Sequence, residues 1–136
     1  MKILLLTLFA LPFTMLFAQG NLQFNQVLTI SGSISASINF TKTYSSIQSV
    51  PTGKVWKVES VGSSSTANNN PGEFNALRWG ITINTQDLVV YTTSSYPLTF
   101  PIWLKAGDQL SFFSGGTNTA SSVKYLFSII EFNIIP

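Results

Sequence analysis

The side chains that most often carry catalysis are sparse in this sequence. It contains no His and no Cys, so the common transition-metal ligands and the common pairs of nucleophile and base are missing. Its carboxylates are Glu59, Glu73, Asp87, Asp108 and Glu131. Glu59 and Glu131 could face each other on neighbouring strands, which is the arrangement that a glycoside hydrolase needs. We prefer the interpretation that these two pair with Lys57 and Lys124 or lie at the surface, and we predict no catalytic residue.

Oxygen ligands for a hard cation occur together at one place. Glu73 follows a run of three Asn residues, and calcium accepts both carboxylate and amide oxygens. One carboxylate among neutral amides makes a weak site, so we predict no metal and no cofactor. Asp108 is interpreted as part of a turn, because the run from Lys105 to Asp108 places Gly107 and Asp108 between two apolar segments.

A sugar-binding surface is the other chemistry that the sequence allows. Tyr96 lies in a loop rich in Ser and Thr, and two further polar loops contain Asn68, Asn69, Asn70 and Asn118. An aromatic ring can stack on a sugar ring while amide groups bond the sugar hydroxyls. These five residues are the candidate ligand-binding set, and a glycan or a surface protein is the alternative partner.

The elements that would position these side chains are strands. After the first 20 residues no segment has a helical period, and short runs of alternating apolar and polar residues recur every ~8–12 residues. This pattern predicts an all-β fold, an antiparallel β-sandwich of jelly-roll type. The first strand is predicted to place Leu22, Phe24, Leu28 and Ile30 on one face. The predicted core consists of Trp56, Val58, Leu77, Trp79, Ile81, Leu110, Phe112, Leu126, Ile130 and Phe132.

The final strand is apolar on both of its faces. Leu126, Ile130 and Phe132 alternate with Tyr125, Phe127 and Ile129. Only one set can face the core of the domain, and soluble monomers rarely expose a large apolar stripe. We assign the first set to the core and predict that Trp103, Tyr125, Phe127 and Ile129 form an interface between subunits.

The N-terminal segment of the chain and its composition indicate an exported protein. A positive residue, an apolar run and Leu16-Phe17-Ala18 predict a signal peptide at residues 1–18, with one domain at residues 19–136 and no membrane span after its removal. Charged residues are only 9% of the chain, against about a quarter in ordinary domains, so Ser, Thr, Asn and Gln supply the polar surface. The net charge of +2 and scattered basic residues predict no nucleic-acid partner.

Two segments carry a resemblance to a known family. Leu104 to Phe112 reads Leu-Lys-Ala-Gly-Asp-Gln-Leu-Ser-Phe, and Tyr125 to Ile130 reads Tyr-Leu-Phe-Ser-Ile-Ile. This pattern, which covers about the last third of the chain, resembles the C-terminal half of jelly-roll domains of the tumour necrosis factor and complement globular-head type. The resemblance implies a jelly roll of about ten strands or fewer, commonly a homotrimer packed through aromatic faces, and no catalytic residues. The chain lacks the collagen-like stalk of that family.

Together these observations predict a class of protein. We expect a secreted, non-enzymatic β-sandwich that self-associates, as a trimer or a filament, and serves as a structural or interaction module at a bacterial cell surface or in an extracellular assembly. A small lectin-like carbohydrate-binding domain is the alternative, and a hydrolase with a carboxylate pair is the third possibility.

Overall fold

The computed structural model describes residues 21–35, 41–65, 78–91, 98–115 and 122–135. Every regular element in these ranges is a strand, and none of these residues forms a helix that could cross a membrane. The predicted signal peptide lies outside the described residues. The strands, in chain order, are β1 (Asn21–Ser35), β2 (Thr43–Tyr44), β3 (Gln48–Ser49), β4 (Lys54–Ser65), β5 (Arg78–Ile83), β6 (Gln86–Tyr91), β7 (Ile102–Lys105), β8 (Gln109–Gly115) and β9 (Ser122–Ile135).

Two antiparallel sheets pack face to face, which confirms the predicted β-sandwich. The four-stranded sheet has the order β1-β9-β4-β7, and the five-stranded sheet has the order β2-β8-β5-β6 with β3 also paired to β8. The short strands β2 and β3 pair with opposite ends of β8 and act as one interrupted edge strand. The chain passes back and forth between the two sheets, as it does in a jelly roll.

The core lies between the sheets and is centred on stacked aromatic rings. The Phe112 ring stacks on Tyr125 with centroids 4.9 Å apart and on Trp79 with centroids 5.8 Å apart. Among the predicted core residues, Trp56, Val58, Ile81, Leu110 and Phe112 are buried, and Trp79 packs against the cluster. Leu77 lies outside the described residues. These rings join the inner faces of the two sheets, because Phe112 belongs to β8 and Tyr125 to β9.

The facing predicted for β9 is wrong. Tyr125, Phe127 and Ile129 point into the core and are at most 8% exposed, whereas Leu126 is 45% exposed. Ile130 and Phe132, also predicted as core, lie on the outer side of the sheet with Leu126. Both alternating sets are apolar, so the period alone does not distinguish them. The stack of Tyr125 on Phe112 decides which set is buried.

A β-bulge overturns the predicted facing of the first strand. The register between β1 and β9 shifts between Phe24 and Gln26. One extra residue moves the following side chains to the opposite face. Leu28 and Ile30 therefore pack on the core, while Leu22 and Phe24 lie on the outer side and are 46% and 60% exposed.

The turn before β8 has the predicted chemistry. The Asp108 carboxylate accepts a hydrogen bond from the Lys105 backbone N–H at 2.9 Å, and the Asp108 N–H donates to the Lys105 carbonyl at 3.0 Å. Gly107 between them has a φ of +86°, which an L side chain rarely adopts. A hydrogen bond from the Asn84 side chain, which contributes most, and the bond from the Lys105 N–H lower the pKa of the Asp108 carboxyl group. Asp108 is therefore a turn residue.

Candidate functional site

The outer side of the four-stranded sheet carries a continuous set of apolar side chains. Cross-strand partners share a face, so the pairs Leu22 with Ile134, Phe24 with Phe132, and Val27 with Ile130 define it. Val55 and Trp103 extend it through β4 and β7. We call this surface the outer apolar face, and it consists of Leu22, Phe24, Val27, Val55, Trp103, Leu126, Ile130, Phe132 and Ile134.

Six of these side chains are unusually exposed for their size. Val27 is 62% exposed, Phe24 60% and Trp103 50%, and Leu22, Leu126 and Ile134 are 44–46% exposed. The Trp103 and Phe132 rings contact each other across the sheet with centroids 5.6 Å apart. Single exposed apolar residues are ordinary, but a contiguous group marks an interaction surface.

A pair of opposite charges lies on the same face. The Lys57 ammonium sits 5.7 Å from the centroid of the Trp103 ring and 2.7 Å from a carboxylate oxygen of Glu59. The Lys57 side chain is 27% exposed and that of Glu59 is 34% exposed. The ammonium is therefore held along the aromatic surface instead of extending into solvent, and the face has no excess of one charge at this point.

A shallow groove of about 520 Å³ continues the outer apolar face towards the other end of the sheet. Small residues of β1 and β4, among them Ser31, Ser33 and Ser64, line it together with Leu126 and Lys124 of β9. The sheet is thus bulky and apolar at one end and recessed at the other.

The inner side of the same sheet contains a buried carboxylate. Glu131 is 3% exposed and accepts hydrogen bonds from Trp56 Nε1 at 2.8 Å, Gln26 Nε2 at 2.9 Å and Asn25 Nδ2 at 2.6 Å. Lys54 lies 3.8 Å away. Burial alone would raise the pKa of Glu131, but these donors and the Lys54 charge outweigh it, so the pKa lies below its ordinary value. Glu131 is an ionised, fully partnered group that joins β9 to β1 and β4.

The predicted pair of carboxylates is not assembled. Glu59 pairs with Lys57 on the outer side of the sheet, as predicted, whereas Glu131 bonds Trp56 on the inner side and not Lys124. The sheet separates the two groups, so they do not flank a common cleft. Within the described ranges, no three acidic residues come close enough to hold a metal ion.

The predicted interface residues do not all lie on one surface. Trp103 is half-exposed on the outer apolar face. Tyr125, Phe127 and Ile129 are buried between the sheets, so their assignment to a subunit interface is wrong. The physical reason is the aromatic stack described above, which turns this set of β9 inward. The predicted ligand-binding residues Tyr96, Asn68, Asn69, Asn70 and Asn118 lie outside the described residues.

Only some of the residues that form the outer apolar face could have been found from the sequence. Ile130 and Phe132 belong to the alternative set of the two-faced strand, and exchanging the two sets would have found them. Phe24 and Val27 lie on opposite sides of the bulge, and an odd spacing of three residues does not normally place two strand residues on one face. A bulge has no strong sequence signal, so this part of the face was not predictable.

Comparison with protein-family models, curated proteins and solved structures finds no match to this chain. The resemblance to the tumour necrosis factor and complement globular-head domains therefore stays a prediction.

Proposed function

We propose that this protein is a secreted, non-enzymatic β-sandwich that self-associates through its outer apolar face and serves as a structural or interaction module at a bacterial cell surface or in an extracellular assembly. The outer apolar face is the observation that supports the proposal. Export is supported by the predicted signal peptide at residues 1–18.

The size of the face suits an interface between subunits. Six large apolar residues on it, of which Phe24 and Trp103 are aromatic, are 44–62% exposed. At ~150–250 Å² for a whole aromatic side chain, they offer on the order of 600 Å² of apolar surface. A partner in a standard interface buries ~800 Å², of which the polar rim is a part. The apolar surface of one subunit is therefore close to what a stable interface needs.

A second copy of this chain is the occupant that the face fits. In a closed symmetric pair the same patch meets itself, so the patch must be its own complement. Lys57 and Glu59 lie side by side, and a rotated copy can place each beside its opposite charge. The bulky end containing Phe24 and Trp103 and the recess beside Leu126 can likewise exchange places.

The experiment compares two aliphatic residues of equal exposure on opposite sheets. Val27, on the outer apolar face, is 62% exposed, and Ile47, on the five-stranded sheet, is 61% exposed. We expect residues 19–136 to sediment as an oligomer at micromolar concentration. Val27→Lys should dissociate it, because each interface would then bury an unpaired ammonium group, whereas the control Ile47→Lys should leave the oligomer intact.

Sedimentation velocity and native mass measurement give the mass, and circular dichroism verifies that both variants are folded. The ratio of oligomer to monomer mass identifies the symmetry, with three subunits for the trimer that the family resemblance implies and an open-ended series for a filament. A monomeric unmodified protein would refute the proposal. Dissociation by Ile47→Lys with an intact Val27→Lys oligomer would move the interface to the other sheet.

A further inference from the structure

A second depression lies on the opposite side of the molecule, on the outer face of the five-stranded sheet. Its volume is about 290 Å³. Tyr44 and Ile47, from the edge formed by β2 and β3, line one side, and Thr82 and Asp87 of the β5–β6 hairpin line the other. Ser111 of the central strand β8 lies between them. We call this depression the polar pocket.

One wall of the polar pocket is an aromatic ring that is held in place. Tyr44 is 48% exposed, and its hydroxyl donates a hydrogen bond to Asp87 Oδ2 at 3.1 Å. Its ring also packs on Phe113, with centroids 6.0 Å apart. Two contacts therefore orient a ring that still has much of its surface accessible. A pre-oriented ring loses little conformational entropy when a ligand packs on it.

The base of the pocket carries a hydroxyl group. Ser111 is only 5% exposed, and it lines the pocket next to Thr82 of the neighbouring strand. A serine hydroxyl can both donate and accept a hydrogen bond. At the base of the pocket it therefore offers a directional contact to a ligand. The exposed amide of Gln109 lies beside it on the same strand.

The charges at the pocket cancel. The Asp87 carboxylate accepts hydrogen bonds from Thr82 at 2.7 Å and from Tyr44, and it forms an ion pair with Lys42 at 2.5 Å. Burial alone would raise the pKa of Asp87, but the bonds from Lys42, Thr82 and Tyr44 outweigh it and lower the pKa below its ordinary value. The carboxylate thus stays ionised as an acceptor, while Lys42 balances its charge. This arrangement favours a neutral ligand.

The rim of the pocket is a turn held in an unfavourable backbone conformation. Asn84 and Thr85, which join β5 to β6, have φ values of +48° and +71°. Asn tolerates this region, but a β-branched residue such as Thr rarely adopts it, and Gly would be the usual choice. The Asn84 side chain holds the turn by accepting from the Gln109 N–H and donating to Asp108, both at 2.8 Å. Such conformations cluster at ligand sites, and Thr85 lines this pocket.

We propose that the polar pocket binds one neutral sugar unit. The Tyr44 ring and Ile47 supply the apolar surface on which a sugar ring packs, and Ser111, Gln109 and Asp87 supply a donor or an acceptor for its hydroxyls. The volume is at the small end of the ~300–1,000 Å³ range of small-molecule sites, which suits a single ring. The pocket is on the sheet opposite the outer apolar face, so the inference is independent of self-association.

The experiment uses free monosaccharides with residues 19–136 as the protein. Glucose, galactose, mannose and N-acetylglucosamine are each titrated to roughly 100 mM, and binding is detected by magnetization transfer from the protein to the sugar protons. We expect at least one of the four to bind saturably, with a dissociation constant on the order of 1–10 mM. A free monosaccharide buries little surface, which accounts for this weak affinity.

Three variants and one control localise the binding. Tyr44→Ala and Ser111→Ala should each weaken it about tenfold, through loss of the stacking ring and of the buried hydroxyl. Thr85→Gly removes a side chain that lines the pocket, so it should also weaken sugar binding. The melting temperature should stay equal or rise, because Gly adopts this φ without strain. That result could not be attributed to unfolding. The control Trp103→Ala removes an aromatic ring of nearly the same exposure as Tyr44 from the other sheet and should leave sugar binding unchanged.

Two results would overturn the inference. One is that none of the four sugars gives a saturable signal. The other is that a sugar binds but keeps its affinity in both Tyr44→Ala and Thr85→Gly, which would place the site elsewhere on the chain. Neither result bears on the mass of the oligomer, so the two proposals fail separately.

Discussion

The outer faces of the two sheets differ in how far their apolar side chains are covered. Each carries a phenylalanine that points away from the core, Phe113 on the five-stranded sheet and Phe24 on the four-stranded sheet. Phe113 is 1% exposed, because Tyr44 packs on it and the Lys42 ammonium lies 5.0 Å from its ring centroid. Phe24 is 60% exposed. One sheet is covered by its own chain, and the other leaves an apolar surface exposed.

The comparison shows that a strand with two apolar faces does not by itself indicate an oligomer. Strand β8 buries Leu110 and Phe112 on the inner side and Phe113 on the outer side, all within one chain. Strand β9 has the same kind of sequence, but on its outer side Leu126 and Ile134 stay exposed. The difference is the edge strand: β2 and β3 bring side chains over β8. The exposure of the outer side chains, and not the alternation alone, therefore supports self-association.

The largest effect is expected from lysine substitutions at two adjacent residues of β9, one on each face of the strand. Phe127 is 1% exposed and Leu126 is 45% exposed. Phe127→Lys would place an ammonium group in the core, so we expect the protein not to fold, whereas Leu126→Lys should fold. Circular dichroism and urea denaturation measure both. A Phe127→Lys protein that folds as stably as the unmodified protein would show that Phe127 does not lie in the core.

The next effect compares the two phenylalanines directly. Phe113→Ala should lower the free energy of unfolding by about 3–5 kcal/mol, as truncation of a buried aromatic side chain does. That loss should be the same at every protein concentration. Phe24→Ala should cost less than ~1 kcal/mol in the dissociated chain, with a larger loss at concentrations where subunits associate. Urea denaturation at two protein concentrations tests this. Equal, concentration-independent losses would mean that the two faces do not differ.

A smaller effect is expected on the buried side of the four-stranded sheet, where hydrogen-bond donors surround the Glu131 carboxylate. The folded-state pKa of Glu131 is below its ordinary value of 4.5. Its ionised form therefore stabilises the fold above the unfolded-state pKa, and this contribution is lost as the pH falls through the lower folded-state pKa. We expect the stability of Glu131→Gln to vary less with pH below ~4.5 than that of the unmodified protein.

Chemical denaturation between neutral pH and the acid range measures this difference. Asp87 and Asp108 also have lowered pKa values and contribute slopes of the same sign to both proteins, so their effect cancels in the comparison. Trp56→Phe, which removes one donor to the carboxylate, should cost about 1.5–3 kcal/mol at neutral pH. Identical pH profiles of Glu131→Gln and the unmodified protein would show that the group is not coupled to folding.

Part of the candidate surfaces was predictable from the sequence and part was not. Trp103 is predicted to lie at a subunit interface, and it is half-exposed on the outer apolar face. Tyr44 and Asp87 become neighbours of Ser111 only because β2, β5 and β6 assemble around β8. These residues are far apart along the chain, and none belongs to a motif. Pairing between strands brings them together.

The sequence by itself determined the class of fold and its local turns. Alternating apolar runs without a helical period specify strands, and the Gly107-Asp108 pair specifies the turn before β8, because both signals act over a few residues. The tertiary structure alone decided which side of β9 is buried and where β1 changes face. Tyr125 faces inward because Phe112 of the other sheet stacks on it, and the bulge after Phe24 moves Phe24 outward. The two alternating sets of side chains on β9 are both apolar, so the local sequence gives neither set a clear preference for the core. Contacts between distant strands therefore decide which set is buried.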